Sequence, residues 1–225
     1  MLLFSVSLLT SAAAQETPVC GPPGEELPAT IVGAGHINGT PGDDVIVGSA
    51  GVDVINGGPG DDTICSEGGN DDVNGGPGDD ELIGDELDLP PFLPSNGSND
   101  DHLSGGPGDD TLAGLGGNDT LVGGPGNDDL IGFGGDDIIV AGPGDDTAFG
   151  GPGVDTMSGD VGDDTLFGNF GSDVIAGGPG DDFIDGDNPT PPPPGGPPFP
   201  PGGNFDDCTG GPGVDLINNC ELTTP

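Results

Sequence analysis

The chain has 225 residues, including 50 Gly and 26 Pro, and only 4% of its residues are aromatic. It contains 41 acidic residues, no Lys and no Arg, so its formal charge is -41. We therefore predict no nucleic-acid partner, because phosphate contacts are made mainly by Lys and Arg, and no membrane insertion, because anionic lipid headgroups repel such a surface.

The first fourteen residues resemble a signal peptide. They are apolar up to Leu9 and end in Ala12, Ala13 and Ala14, a small-residue pattern typical of a cleavage site. The apolar part is too short to span a bilayer, and a buried terminal strand is the alternative interpretation. We predict a signal peptide over residues 1–14 and a secreted, extracellular mature chain.

Residues 15–38 precede the regular part of the sequence and are predicted to form an N-terminal cap. Residues 30–38 make a degenerate unit that keeps an apolar residue, Ile37, at its eighth position but has no aspartate at its sixth. A stacked array needs an end that closes its core without a further repeat.

From Gly39 to Asn218 the sequence repeats a nine-residue unit, Gly-Gly-x-Gly-x-Asp-x-apolar-x, sixteen times. The units fill residues 39–83 and 96–185, and the last begins the C-terminal segment 210–225. Such a unit is too small to bury its apolar face alone and gains stability by stacking. We predict an all-β solenoid in which two units form one coil, with short strands at positions seven to nine and the eighth side chain inward.

Two insertions interrupt the array, at residues 84–95 and 186–209. The second contains the run Thr190-Pro191-Pro192-Pro193-Pro194, which is predicted to be semi-rigid and polyproline-like. It ends in a degenerate unit, residues 201–209. Insertions in a solenoid emerge as loops on one side, so both are predicted to leave the stacking intact.

Four cysteines in an exported chain predict two disulfides, for which three pairings are possible. We favour Cys208 with Cys220, which flank the last unit, and Cys20 with Cys65, which would hold the N-terminal segment against the third unit. Zinc ligation is the rival interpretation, but the sequence has no paired Cys-x-x-Cys and its two histidines lie elsewhere.

The repeated unit places oxygen ligands at fixed positions. Glycines at positions one, two and four allow positive φ and let carbonyl groups turn toward a common centre, and the sixth-position carboxylate completes an all-oxygen site. Such sites favour hard cations, and flexible glycine loops suit Ca²⁺ better than Mg²⁺. We infer that bound Ca²⁺ supplies much of the folding free energy. The predicted ligands are Asp44, Asp53, Asp62, Asp71, Asp80, Asp101, Asp110, Asp119, Asp128, Asp137, Asp146, Asp155, Asp164, Asp173, Asp182 and Asp215.

The units GGPGDDTIC (57–65), GGPGDDTLA (105–113) and GLGGNDTLV (114–122) resemble the calcium-binding nonapeptide of the repeats-in-toxin, or hemolysin-type, family. The resemblance implies a right-handed parallel β-roll with Ca²⁺ in the turns between adjacent coils, held by sixth-position aspartates and loop carbonyls. Members of that family often carry a protease, lipase or pore-forming segment, and nothing of domain size lies outside the array here. Many are exported by a C-terminal signal, whereas this chain has an N-terminal candidate.

No catalytic constellation can be identified, and we predict that the protein is not an enzyme. His36 and His102 are expected to face solvent, and no cofactor motif or nucleophile accompanies them. The ninth positions of alternate units read Ala113, Ile131, Phe149, Phe167 and Asp185, and the Ile131-Phe149-Phe167 strip is a hypothetical contact surface for a protein partner or a second copy.

The sequence thus favours a calcium-binding repeat protein with a structural or adhesive extracellular role. The alternatives are a non-catalytic accessory module of a secreted hydrolase and a polysaccharide- or ice-binding surface protein. Regular Thr-x-Thr ladders would favour ice, and the outward positions here are too mixed.

Overall fold

The computed structural model describes residues 19–20, 27–85, 99–186 and 207–220. The predicted signal peptide and the proline run lie outside these residues. In the described part the only regular elements are twenty-one short β-strands. In chain order they are β1 (Val19–Cys20), β2 (Leu27–Pro28), β3 (Ile31–Val32), β4 (His36–Asn38), β5 (Val45–Val47), β6 (Val54–Asn56), β7 (Thr63–Cys65), β8 (Asp72–Asn74), β9 (Glu81–Ile83), β10 (His102–Ser104), β11 (Thr111–Gly116), β12 (Thr120–Val122), β13 (Asp129–Gly134), β14 (Ile138–Pro143), β15 (Thr147–Pro152), β16 (Thr156–Val161), β17 (Thr165–Phe170), β18 (Val174–Ala176), β19 (Phe183–Asp185), β20 (Asp207–Thr209) and β21 (Leu216–Asn218).

The strands form two parallel sheets. The even-numbered strands β4 to β20 make a nine-stranded sheet, and the odd-numbered strands β3 to β21 make a ten-stranded sheet. Neighbours within a sheet are usually eighteen residues apart, as in the pairing of Thr120 with Ile138, so each coil consists of two units. The predicted all-β parallel β-roll is confirmed.

The eighth-position side chains of both sheets form one buried apolar cluster inside the roll. Ile46, Ile64, Leu112 and Leu166 are fully buried, and the core contains the equivalent residue of almost every other described unit. Thin cores of this kind follow from the unit itself, because it supplies only one regularly placed apolar side chain in nine residues. The predicted inward direction of position eight is therefore confirmed.

The sheets continue across both insertions. Asp72 pairs with His102, thirty residues later, and Val174 pairs with Asp207, thirty-three residues later. Both insertions follow a strand of the ten-stranded sheet, and both rejoin the roll before a strand of the nine-stranded sheet. They therefore leave the roll on the same side.

The first glycine of each insertion belongs to a coil. The Gly84 N–H donates to the Ala113 carbonyl, and a methyl group placed on Gly84 would lie 2.5 Å from Asp101 Oδ2. Gly105 has the same relation to Asp110 in its own unit. Gly84 thus acts as the first glycine of the unit that contains Asp101, and the extra residues enter after that glycine. This entry point follows from the strand register of the structure, and the spacing of the repeats in the sequence does not reveal it.

The two predicted disulfides are present. Cys20 bonds to Cys65 and Cys208 bonds to Cys220, and the described residues contain no free cysteine. The first bond fixes β1, which pairs antiparallel with β2, against the ten-stranded sheet. Cys20, Val47, Cys65 and Ile83 form a small buried cluster there.

None of the described residues lies in a helix that is long and apolar enough to cross a membrane.

Candidate metal centre

The turns of the roll stack into two edges. One stack consists of the turns that lead into the ten-stranded sheet, beginning at residues 39–44. All but one of these turns have Pro at the third position, and we call this stack the proline edge. Turns that lead into the nine-stranded sheet, beginning at residues 48–53, contain both insertions and form the insertion edge. Each coil contributes one sixth-position aspartate to each edge.

Within each edge the sixth-position aspartates are linked from coil to coil. One carboxylate oxygen, Oδ1, accepts a hydrogen bond from the backbone N–H of the equivalent aspartate in the preceding coil. On the proline edge Asp110 N donates to Asp128 Oδ1 at 2.8 Å, and on the insertion edge Asp119 N donates to Asp137 Oδ1 at 2.8 Å. The interruptions do not break this ladder, because Asp71 N reaches Asp101 Oδ1 at 2.8 Å.

The second carboxylate oxygen, Oδ2, is buried in most units and accepts no hydrogen bond. Buried polar atoms are otherwise almost always paired, so this repeated exception requires a partner of another kind. Within the described part of the chain these Oδ2 atoms belong to Asp62, Asp71, Asp80, Asp101, Asp110, Asp119, Asp128, Asp137, Asp146, Asp155, Asp164, Asp173 and Asp182.

In most units the first glycine lies close to this oxygen and leaves no room for a side chain. A methyl group on Gly57 would lie 2.4 Å from Asp62 Oδ2 and 2.6 Å from the carbonyl oxygen of Gly75, which belongs to the next coil. On the insertion edge a methyl group on Gly132 would lie 2.3 Å from Asp137 Oδ2 and 2.8 Å from the Gly150 carbonyl. Only glycine therefore fits at this position, where the backbone approaches a carboxylate of its own unit and a carbonyl of the next coil.

Burial raises the pKa of sixth-position carboxyls such as those of Asp101, Asp155 and Asp128. The negative charges of neighbouring aspartates raise it further, although the backbone hydrogen bond to each carboxylate lowers it. The pKa of Asp101 and of Asp155 is raised to about 8. That of Asp137 on the insertion edge is raised to about 6, as it is for Asp128 and Asp146 on the proline edge, so the ranges of the two edges overlap. A bound cation would favour the ionised form and oppose these shifts.

The donor set fits a hard divalent cation. Nowhere in the described residues do three His, Cys, Asp or Glu side chains converge on one point, so carbonyl oxygens would have to supply most of the ligands beside the carboxylates. Carbonyl and carboxylate oxygens in flexible turns are what Ca²⁺ accepts, whereas Mg²⁺ requires a compact octahedron. The Oδ2 atoms without a donor, the nearby carbonyl oxygens of the next coil and the donor chemistry all agree with the predicted ion.

Three of the sixteen predicted ligands have different surroundings. Asp44 and Asp53, in the first turn of each edge, accept hydrogen bonds on Oδ2 from Thr40 and Ser49. Asp215, in the last turn of the proline edge, is only half-buried. The sequence pattern gave no sign of the two hydroxyl donors except that position two of these units is not glycine.

A second, outer row of polar side chains occurs at position five of the turns. On the proline edge each backbone N–H at this position donates to the fifth-position side chain of the preceding coil, as from Asp163 to Asp145 and from Asp145 to Asn127. The row continues without a gap from Asp43 to Val214. Among the described residues of the insertion edge, the same contacts run from Asp100 to Val154.

The two histidines are exposed and lie outside both edges. His36 and His102 are in strands of the nine-stranded sheet, and His102 Nδ1 lies 3.2 Å from a carboxylate oxygen of Asp72. This single contact assembles no nucleophile or cofactor site.

A parallel β-roll with buried carboxylate oxygens in both stacks of turns defines a class of repeat proteins built to hold divalent cations between coils. A family model for the RTX calcium-binding nonapeptide repeat matches the chain over residues 33–64, 66–86, 95–130, 131–166 and 158–188. The chain therefore belongs to this calcium-binding family, as the resemblance of its units implied. No curated protein matches the chain.

Proposed function

We propose that the protein is an exported β-roll whose folding is triggered by Ca²⁺ and which has a structural or adhesive role outside the cell, without catalytic activity of its own. One observation carries this proposal. Thirteen buried carboxylate oxygens have no hydrogen-bond donor, in a chain with no Lys or Arg to neutralise them. The counter-charge has to come from outside the polypeptide.

Calcium dependence follows from the stacking distance. Adjacent strands of a sheet are about 4.8 Å apart, so ionised aspartates of successive coils repel one another at close range. Burying unpaired charges of one sign is strongly unfavourable. Ions placed between the coils reverse this repulsion, and their binding free energy becomes folding free energy.

Export is supported by two features. The structure has two disulfides, and disulfides persist mainly outside the reducing cytoplasm. The apolar N-terminal residues 1–14 agree with a signal peptide. Calcium-triggered folding would then follow translocation, when the chain meets millimolar Ca²⁺.

Far-ultraviolet circular dichroism of the mature chain during a calcium titration tests the trigger. We expect cooperative gain of β signal, reversal by a chelator, and little effect of Mg²⁺ at the same concentration. A metal-free chain that is already folded and resists proteolysis, and that takes up no Ca²⁺ at millimolar concentration in equilibrium dialysis, would disprove the proposal.

The adhesive role needs a contact surface, and the Ile131-Phe149-Phe167 strip is our candidate. The three side chains are half-exposed neighbours on the ten-stranded sheet, and the rings of Phe149 and Phe167 stack with centroids 4.9 Å apart. The same row begins with Val47, Cys65 and Ile83, which pack against Cys20 of the chain's own N-terminal segment. A polypeptide segment of a partner would cover the rest of the row in the same way.

Charging both rings, as Phe149→Asp with Phe167→Asp, should release the protein from the cell envelope while its calcium-induced dichroism stays unchanged. Thr147→Asp with Thr165→Asp is the control on the same strands. Unchanged retention would remove the strip from the proposal. Co-purification with a hydrolase would instead favour the accessory-module alternative.

A further inference from the structure

The first turn of each edge differs from all later turns in how its buried carboxylate is satisfied. In the first turn of the proline edge, Asp44 Oδ2 accepts the backbone N–H of Thr40 at 2.6 Å and its hydroxyl at 2.9 Å. In the first turn of the insertion edge, Asp53 Oδ2 accepts the N–H of Ser49 at 2.7 Å and its hydroxyl at 2.9 Å. Both donors are at position two of their units.

The other oxygens of these two carboxylates are also engaged. The Thr30 hydroxyl lies 3.4 Å from Asp44 Oδ1, and the Gly35 N–H donates to Asp53 Oδ1. Both donors come from the N-terminal segment that closes the roll. The protein itself thus surrounds each of these buried carboxylates with donors, which is the arrangement that stabilises an ionised carboxylate without a cation.

The backbone at position two distinguishes the same two units. Thr40 and Ser49 do not have positive φ. The second residue has positive φ in the other units, except in that of Asp101, where the first insertion follows Gly84 and Asp85. These left-handed residues are Gly58, Glu67, Gly76, Gly106, Leu115, Gly124, Phe133, Gly142, Gly151, Asp160, Asn169, Gly178 and Gly211. Bulky residues such as Leu115 and Phe133 adopt this conformation only when the surroundings impose it, so it is a built feature of the later turns.

We propose that Thr40 and Ser49 close the first cation position of each edge, so that Asp44 and Asp53 bind no calcium. A position-two residue in the left-handed conformation leaves Oδ2 without a donor and available to a cation. A position-two residue without positive φ that carries a hydroxyl donates both its N–H and its O–H to Oδ2. These two donors take the place of the cation. The rows of ions therefore begin at Asp62 and Asp71, one coil inside the roll.

This inference rests on the proposed function, because it concerns which aspartates bind the ion that the function requires. It also gives the N-terminal end of the roll a part that needs no calcium. Thr40 and Ser49 lie in the turns next to the Cys20–Cys65 disulfide and the degenerate first unit. Together they form an end that is closed by the chain's own donors, against which the calcium-dependent coils stack.

Native mass spectrometry of the calcium-loaded mature chain tests the proposal by counting bound ions. Asp44→Asn and Asp53→Asn should leave the count unchanged. Asp62→Asn on the proline edge and Asp119→Asn on the insertion edge are the matched controls, and each should lower the count by at least one. Loss of an ion in Asp44→Asn or Asp53→Asn, as in the controls, would overturn the proposal.

The reverse variants test the hydroxyl donors directly and do not depend on removing a ligand. Thr40→Gly and Ser49→Gly should each raise the ion count by one, whereas Thr40→Ser and Ser49→Thr should leave it unchanged. An unchanged count in both glycine variants would overturn the assignment of Thr40 and Ser49. If the unsubstituted chain bound no calcium at all, the proposed function would fail as well, so the two failures can be told apart.

Discussion

The proline edge and the insertion edge share an inner layer and differ in the layer outside it. In both, the sixth-position carboxylates after the first turn are linked coil to coil through Oδ1, and all of them except Asp215 are buried and lack a donor on Oδ2. Outside this layer the proline edge has an unbroken fifth-position ladder. The insertion edge carries both long loops, and in its described part the ladder runs from Asp100 to Val154. The inner layer is therefore what the roll requires, and the outer layer can vary.

The outer layer of the proline edge has a local cause. Proline at the third position fixes one φ angle near -65°, so successive turns take the same path and their fifth residues superpose. Carboxylate or amide oxygens at that position then accept the N–H of the next coil, as Asp109 and Asn127 do. The insertion edge has Pro152 as its one described third-position proline and has Val52 and Val154 at position five, so its turns are less uniform.

The largest effect we expect is that acid replaces calcium in the metal-free chain. The buried carboxyls have folded-state pKa values of about 6 to 8, as for Asp128 and Asp101, and unfolded values near ~4. A raised pKa means that the folded state holds its protons more tightly, so the penalty is complete above the folded values and vanishes as the pH falls to the unfolded value. Circular dichroism without calcium should therefore show gain of β structure between pH 8 and pH 4.

The inner-layer carboxyls should respond in sequence during that titration. Asp101 and Asp155 should take up protons first, near pH 8, and Asp137 of the insertion edge should follow near pH 6, together with Asp146 and Asp164 of the proline edge. Carbon-13 NMR of labelled aspartates in the acid-folded state resolves the early and the late group. A single titration near pH 4 for all of them, with no gain of structure, would contradict the burial of the inner layer.

Single substitutions in the inner layer should have the next largest effect, and it should be similar on the two edges. Asp128→Asn and Asp137→Asn keep the size of the side chain and remove one charged ligand in the middle of each edge. Each should raise the calcium concentration for half-folding several-fold, because an amide is a weaker ligand for a hard cation than a carboxylate. Calcium titrations followed by circular dichroism measure the shift.

The control for these variants is Asp129→Asn, which lies on an exposed strand position next to Asp128. It should leave the midpoint almost unchanged. A large shift for Asp128→Asn with none for Asp137→Asn would show that the inner layers are not equivalent and that only the proline edge holds ions.

The repeat period predicted most of the roll because it depends on local spacing. It assigned Ile64 to the core, Asp62 to a turn, and both cysteine pairs correctly. It did not separate Asp44 from Asp62, since the difference lies in the backbone conformation of Thr40 and Gly58, which the spacing does not report. An even number of units separates the two insertions, so both leave the roll on the same edge. The sequence shows this only if consecutive turns are already known to alternate between the two edges.

Neutralising the outer layer of the proline edge should have a smaller effect. Asn127 shows that an amide can keep the fifth-position hydrogen bonds, so Asp109→Asn, Asp145→Asn and Asp163→Asn together remove charge without breaking the ladder. At low ionic strength the variant should bind calcium a few-fold more weakly than the unsubstituted chain. In high salt the two affinities should become nearly equal, because exposed charges are screened. Isothermal titration calorimetry at two salt concentrations checks this, and an effect that salt leaves unchanged would indicate direct ligation instead.

The smallest effect should follow removal of the first insertion. Deleting residues 86–97 joins Asp85 to Ser98 and restores a nine-residue unit that ends at Ser104. The inner ladder already spans the gap through Asp71 and Asp101, and shortening a loop changes the closure entropy by only about 1 kcal/mol or less. The calcium midpoint in circular dichroism should therefore move by no more than about twofold.

The same twelve residues placed between Gly124 and Pro125 provide the matched test on the proline edge. There they would separate Asp109 from Asn127 and Asn127 from Asp145, which are consecutive members of the unbroken ladder. We expect a clearly larger rise in the calcium midpoint than for the deletion, because the superposed turns lose their outer hydrogen bonds as well as their common path. Equal tolerance at both places would show that the outer layer contributes nothing to folding, and the difference between the edges would then be one of sequence alone.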